Sequence, residues 1–108
     1  MVMNSAWLLL FLAGALEIAW AIGIKYTDGF TRPLPSVFTI TIASASFFLL
    51  AQAVKAIPVG TAYAVWGGIG AVGVAVVGIL VFNESVEWTR VLFLSLIIVG
   101  IVGLKMHG

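Results

Sequence analysis

Residues 5–24 read SAWLLLFLAGALEIAWAIGI, twenty positions with a single charge, Glu17. Twenty helical residues extend about 30 Å, which is the thickness of a bilayer's hydrocarbon core. A carboxylate at that depth costs a few kcal/mol even on the lenient insertion scale, so it needs a reason to be there. The physical reasons available are proton relay, cation binding, or an ion pair with a partner inside the membrane.

Three further apolar runs of similar length follow, at about 36–54, 60–82 and 88–106. They are separated by Lys25-Tyr26-Thr27-Asp28-Gly29 with Arg32-Pro33-Leu34-Pro35, by Lys55-Ala56-Ile57-Pro58, and by Asn83-Glu84-Ser85-Val86-Glu87. The prolines fall at or before predicted helix starts, where a missing N–H is harmless. Strands of a membrane barrel would be half as long and would alternate in polarity, which these runs do not. The fold class is therefore an all-α membrane protein with four transmembrane helices, and residues 1–108 are expected to form one domain.

Composition points the same way. The chain is 63% hydrophobic and 8% charged, with a mean hydropathy of +1.25. A soluble fold this small buries only about 60% of the surface its chain exposes, so lipid must be the solvent for most of these side chains. The segment before Ala13-Gly14-Ala15 lacks Lys and Arg, and the apolar run continues beyond it, so Met1 onward is read as mature protein rather than as a signal peptide. The absence of Cys excludes disulfides and thiolate chemistry. His107, the one histidine, lies in the polar tail and reads as solvated. No basic stripe exists for nucleic acid. No nucleophile–base pair, metal-ligand spacing or phosphate loop is present, so neither an enzyme nor a metal or cofactor protein is expected. Trp7, Tyr26 and Trp88, with Lys25, Lys55 and Lys105, lie near segment ends and read as interfacial anchors.

Charge balance bears on topology. With both termini on one side, that side carries Lys55 and Lys105, while the other carries Lys25, Arg32 and Arg90. A difference of 3 − 2 = 1 is too small for the positive-inside rule to impose an orientation. Four short helices are also too few to enclose a gated path, which larger transporters build from inverted repeats. Insertion in both orientations and pairing as an antiparallel homodimer would supply the missing half.

Around Glu17, the same helical face carries Ala13 and Gly14 one turn before and Trp20 and Ala21 one turn after. Small residues let a second helix or a ligand approach the carboxyl. In the third run Tyr63, Trp66, Gly70 and Gly73 share a face; the phenol can hydrogen-bond a carboxylate and the indole can hold a cation, while plain packing explains them equally well. Ser46 in the second run reads first as a hydroxyl bonded back to its own helix. Gly67-Gly68-Ile69-Gly70 softens the third helix enough for a kink. Leu96, Gly100 and Gly103 give the fourth helix a small-residue face suited to docking on another copy. Glu84, Glu87 and Arg90 read as solvated residues of a loop and helix start.

Several of these residues fall into longer motifs. Glu17-Ile-Ala-Trp20, Lys25-Tyr26, Gly29-Phe30-Thr31-Arg32 and Pro35-Ser36 are joined by Ile57-Pro58-Val59-Gly60-Thr61-Ala62-Tyr63-Ala64-Val65-Trp66, by Gly68-Ile69-Gly70, and by Gly100-Ile101-Val102-Gly103-Leu104-Lys105. Together they cover nearly the whole chain and resemble the small multidrug resistance transporters. Trp20 and the Gly-Leu-Lys ending are similar to the guanidinium-exporter subtype, whereas exporters of polyaromatic drugs usually carry a small residue at that position. Gly67 departs from the pattern, since a hydroxylated residue is commoner there. The resemblance implies a proton-coupled antiporter of the bacterial inner membrane, working as an antiparallel homodimer. It implies that Glu17, Trp20, Ser46, Tyr63 and Trp66 bind a guanidinium-like cation, with protons competing at Glu17 and Gly14 lining the approach. The glycines at 67, 68, 70, 100 and 103 are the expected hinge and dimer positions. The alternatives are a multidrug exporter of quaternary and aromatic cations, which Trp20 disfavours by narrowing the site, and a non-transporting membrane subunit.

Overall fold

Helix α1 spans Ser5–Tyr26, α2 Pro33–Ala53, α3 Val59–Val81 and α4 Trp88–His107 in a computed structural model that describes residues 5–107. The reading of Met1 falls outside those residues. All four helices, of 20–23 residues, are long and apolar enough to cross a membrane. Two ends shift from the sequence expectation. α1 runs on through Lys25 and Tyr26, where a cation in the last turn complements the helix dipole. α2 starts three residues early at Pro33, because Pro33 and Pro35 occupy the first turn, where N–H groups have no helical partner to lose. α3 is continuous through Gly67–Gly70.

α1 is the central element, packed against α2 on one side and α3 on the other, while α4 rests chiefly on α3. The core joins Ala6, Trp7, Leu10 and Ala13 of α1 to Ala62, Val65 and Trp66 of α3, closed by Ala53 and Ile57. Trp7 thus lies inside the bundle rather than at the lipid boundary, with the Lys105 ammonium 5.4 Å from its ring centroid. Tyr26 and Trp88 are exposed at helix ends, as interfacial rings should be. α4 contributes no buried residue.

The turns are held by local polar bonds. After α1, Asp28, Gly29 and Phe30 all take left-handed backbone angles, at φ 51°, 69° and 65°. That conformation is costly for Phe30, and the buried Thr27 side chain holds it, donating to the Ile24 carbonyl at 2.8 Å and accepting the Phe30 N–H at 3.1 Å. After α3, Asn83 is left-handed and the Glu84 N–H returns to the Gly78 carbonyl at 3.1 Å, a helix-ending loop. The Glu84 carboxylate lies over Gly78 and pairs with Arg90 at 2.7 Å, on exposed ground as the sequence suggested.

Candidate functional site

Helix–helix contact without side-chain bulk brings α1 and α3 together, and glycines make it possible. A Cβ on Gly70 would overlap the Glu17 carboxyl, and one on Gly73 would overlap Ile18. In the reverse direction, Ile69 of α3 fills the space over Gly14, where an added Cβ would lie 2.8 Å from its Cγ2. α1 and α3 therefore interlock as side chains on glycines, and the carboxyl of Glu17 is pressed against the α3 backbone. Small residues are the means by which membrane helices approach this closely.

Glu17 itself is half-buried, with one carboxyl oxygen enclosed and without a hydrogen-bond partner. One turn along, the Trp20 indole N–H is also enclosed and unpartnered. Buried polar groups normally find partners, so an unsatisfied acceptor and an unsatisfied donor one turn apart make this the candidate place for a ligand or a proton. A planar cation with several N–H donors suits the first, because a carboxylate accepts two parallel bonds from it.

Around these groups lies an aromatic wall. Trp20 and Trp66 have ring centroids 6.4 Å apart, Phe47 sits 5.9 Å from Trp20 and 5.5 Å from Trp66, and Tyr63 lies tilted against Trp66 at 5.3 Å. Ring faces carry negative potential and favour a cation beside them. Phe47 escaped the sequence reading; its one signal was adjacency to Ser46 in an apolar run.

Ser46 fixes this wall. Its hydroxyl is fully buried, donates to the Ala13 carbonyl of α1 at 2.7 Å, and accepts the Trp66 indole N–H at 3.0 Å. The expected bond back to its own helix is not made; one hydroxyl instead ties three helices together. Ala13 lies one turn before Glu17, so the tie also anchors the turn that carries the carboxyl.

The structure brings together Glu17, Trp20, Ser46, Trp66 and Gly70, with Gly14 covered by Ile69. It does not bring Tyr63 to the carboxyl of the same chain: Tyr63 is 63% exposed and lies two turns along α3 from Gly70. Gly68 packs on α4, where an added Cβ would lie 2.9 Å from Ile101 Cδ1, while Gly67, Gly100 and Gly103 have open space beside them. Among the described residues no group of His, Cys, Asp and Glu is placed to hold a metal ion.

A family model described as Small Multidrug Resistance protein matches residues 5–97. The chain is similar to the guanidinium exporter of Yersinia pseudotuberculosis serotype I, with 55% identity over 101 residues, 94% of this chain and 97% of that one. It is 54% identical to the guanidinium exporter of Proteus vulgaris over 101 residues, 94% of this chain and 97% of that one. To the guanidinium exporter of Escherichia coli (strain K12) it is 54% identical over 101 residues, 94% of this chain and 96% of that one. With its four spans, the half-buried acid in the first of them and this match across nearly its whole length, the chain belongs to the small multidrug resistance family.

Proposed function

We propose that this protein exports guanidinium and small substituted guanidinium cations in exchange for protons, with cation and proton competing for Glu17. The observation that carries the reading is the enclosed, unpartnered Glu17 oxygen with, one helical turn on, the equally unpartnered Trp20 indole N–H. The names of the relatives support the substrate, and their bacterial sources with four apolar spans support a multi-pass protein of the inner membrane. The relatives are exporters, which supports a transporter rather than an enzyme.

The site's chemistry suits the cation. Guanidinium is planar and weakly hydrated for its charge, so it loses less than an ammonium on entering an apolar site. Glu17 offers two acceptors, the rings of Trp20, Phe47 and Trp66 offer faces, and Ser46 holds Trp66 and the Glu17 turn in place. Gly70 leaves room for the carboxyl, and Gly14, whose hollow Ile69 fills, lets α3 come close enough to α1 for that contact.

Residues 1–108 act as one transport unit that works as an antiparallel homodimer of oppositely inserted copies. Three features support this: the near-equal loop charges, an α4 with no buried residue, and the open glycines at 100 and 103. Tyr63, exposed in the single chain, then serves the site across the pair or stacks on cargo from the Trp66 side. Gly68, packed on α4, and Gly67 next to it act as pivot positions between halves.

Competition fixes the sign of the pH dependence. Lowering pH adds protons to the carboxyl and weakens cation binding, by up to about tenfold per pH unit for each proton displaced. Transport of guanidinium into liposomes under a proton gradient, measured with intact protein and Glu17→Gln, tests this. Loss of both proton movement and the pH dependence of binding is expected; guanidinium-driven proton movement that survives Glu17→Gln would sink the reading.

A further inference from the structure

We infer that the groove between the end of α1 and the start of α2 is a seat for an anionic phospholipid, its phosphate on Arg32 and an acyl chain against Ile22 and Phe38. The groove has a volume of about 430 Å³ and its walls include Ala19, Ile22, Gly23, Phe38 and Thr39, with Arg32 among its lining residues. It lies on the face of α1 turned away from the transport site, since Glu17 and Ala19 are two residues and about 200° apart around the helix. The inference stands independently of what the protein exports.

Depth and charge select the occupant. The Arg32 end of the groove adjoins Lys25 and Tyr26, the last turn of a membrane-spanning helix, which sets it at headgroup level; its floor runs inward along apolar side chains. The charged groups facing this end of the bundle are Lys25, Asp28, Arg32, Glu84, Glu87 and Arg90. Arg90 is bonded to Glu84 at 2.7 Å, and the Lys25 ammonium lies 4.9 Å from the Phe82 ring centroid. Arg32 makes one long bond, 3.4 Å to the Tyr26 carbonyl, and among the described residues no carboxylate lies within ion-pair distance of it. Most of its five donors are therefore available, in a fork that matches phosphate oxygens. Asp28 opposes a diffuse anionic atmosphere at this loop, so attraction has to come from direct guanidinium contact.

Two further features mark the groove as built. The left-handed turn at Asp28–Phe30 and the bonds from the Thr31 and Arg32 N–H groups to the Thr27 carbonyl, at 3.0 and 3.1 Å, fix the point from which Arg32 projects. In the wall, Thr39 is 2% exposed and its hydroxyl has no hydrogen-bond partner. That hydroxyl sits over Gly23, where a Cβ would lie 2.5 Å from it. Thr39 packed on Gly23 holds α1 and α2 close together and gives the groove a fixed wall.

Native mass spectrometry of the full-length protein in detergent, with phosphatidylglycerol or phosphatidylethanolamine added, tests the seat. The intact chain should retain phosphatidylglycerol about fivefold better than phosphatidylethanolamine, the preference one interfacial cation confers. Arg32→Gln should bring the ratio to parity and Arg32→Lys should keep part of it. Ala19→Phe, which fills the groove, should lower retention of both lipids; if that variant does not fold, Phe38→Ala, which removes a wall, should do the same. An undiminished preference in Arg32→Gln would overturn the assignment, as would unchanged retention in both groove variants. A loss of dimer in Ala19→Phe with lipid retention unaffected would give the groove to a second copy instead.

Discussion

Glycines in α3 and glycines in α4 look alike in the sequence and do opposite things in the fold. Those at 68, 70 and 73 are each occupied by a side chain of the same molecule, namely Ile101, Glu17 and Ile18. Those at 100 and 103 meet nothing within 4 Å. A small residue in a membrane helix gives up packing of its own so that something else can come close. Where the occupant is internal, the glycine shapes the site. Where it is not, the hollow is open to whatever lies outside the chain, lipid or the second copy proposed above, on an α4 that buries no residue of its own.

The sharpest way to break the comparison is to fill the hollow under Glu17. Gly70→Val puts methyl groups where the carboxyl now lies, and the carboxyl, at the end of a flexible side chain, will swing away. The fold should survive and transport should not: displacement by about 1 Å at a binding group costs on the order of 100-fold. Guanidinium flux in liposomes, beside helicity by circular dichroism, separates the two. Lost helicity with lost flux would mean that Gly70 serves the fold instead.

A smaller loss is expected at Ser46. Ser46→Ala removes the acceptor of the Trp66 indole and the cross-link to Ala13, leaving a buried N–H unpaired, at a cost of about 1–3 kcal/mol. Thermal unfolding in detergent reads that cost directly. Ser46→Thr keeps the hydroxyl and should recover most of it, with affinity for guanidinium recovering in step; stability without recovered affinity would separate the tie from the site.

Much of this was legible in the sequence, and the limit has a physical cause. Four spans follow from length and hydropathy, and Glu17 stands out because charge is expensive in lipid. Which side of each helix faces inward was harder to read. In water an amphipathic stripe gives the face away, but in lipid both faces are apolar, so Trp7 reads as an interfacial anchor and lies in the core. The same blindness hid the partner of Ser46, since a hydroxyl in an apolar run specifies that it must bond, not across which helix. Tyr63 and Trp66 share a face by spacing, yet one is exposed and the other buried, because i and i+3 still differ by about 60° around a helix and the core face of α3 runs through Ala62, Val65 and Trp66. Glycine positions were visible throughout; their occupants were not.

On α4 the comparison predicts an effect on association and none within the chain. Replacing Gly100 and Gly103 together by Leu should leave helicity intact while weakening self-association by about 10- to 100-fold, the cost of over-filling a close helix contact. Energy transfer between labelled copies in liposomes at graded dilution measures it. Unchanged association would place the partner surface elsewhere and leave those glycines without an occupant.

The mildest change tests the one glycine that departs from the family pattern described above. Gly67 has nothing within 4 Å inside the chain, so Gly67→Ser creates no clash. Serine is also the better helix former by a few tenths of a kcal/mol, so stability of the single chain should hold or rise slightly. If the position faces only lipid, guanidinium flux should stay within about twofold of the starting protein, because surface changes away from packed features stay within about 0.5 kcal/mol. A larger change in flux would mean that a second copy or the cargo itself comes within reach of the new hydroxyl. Gly67 would then join Gly100 and Gly103 as a hollow filled from outside, and the division between α3 and α4 would run through α3, one residue before Gly68.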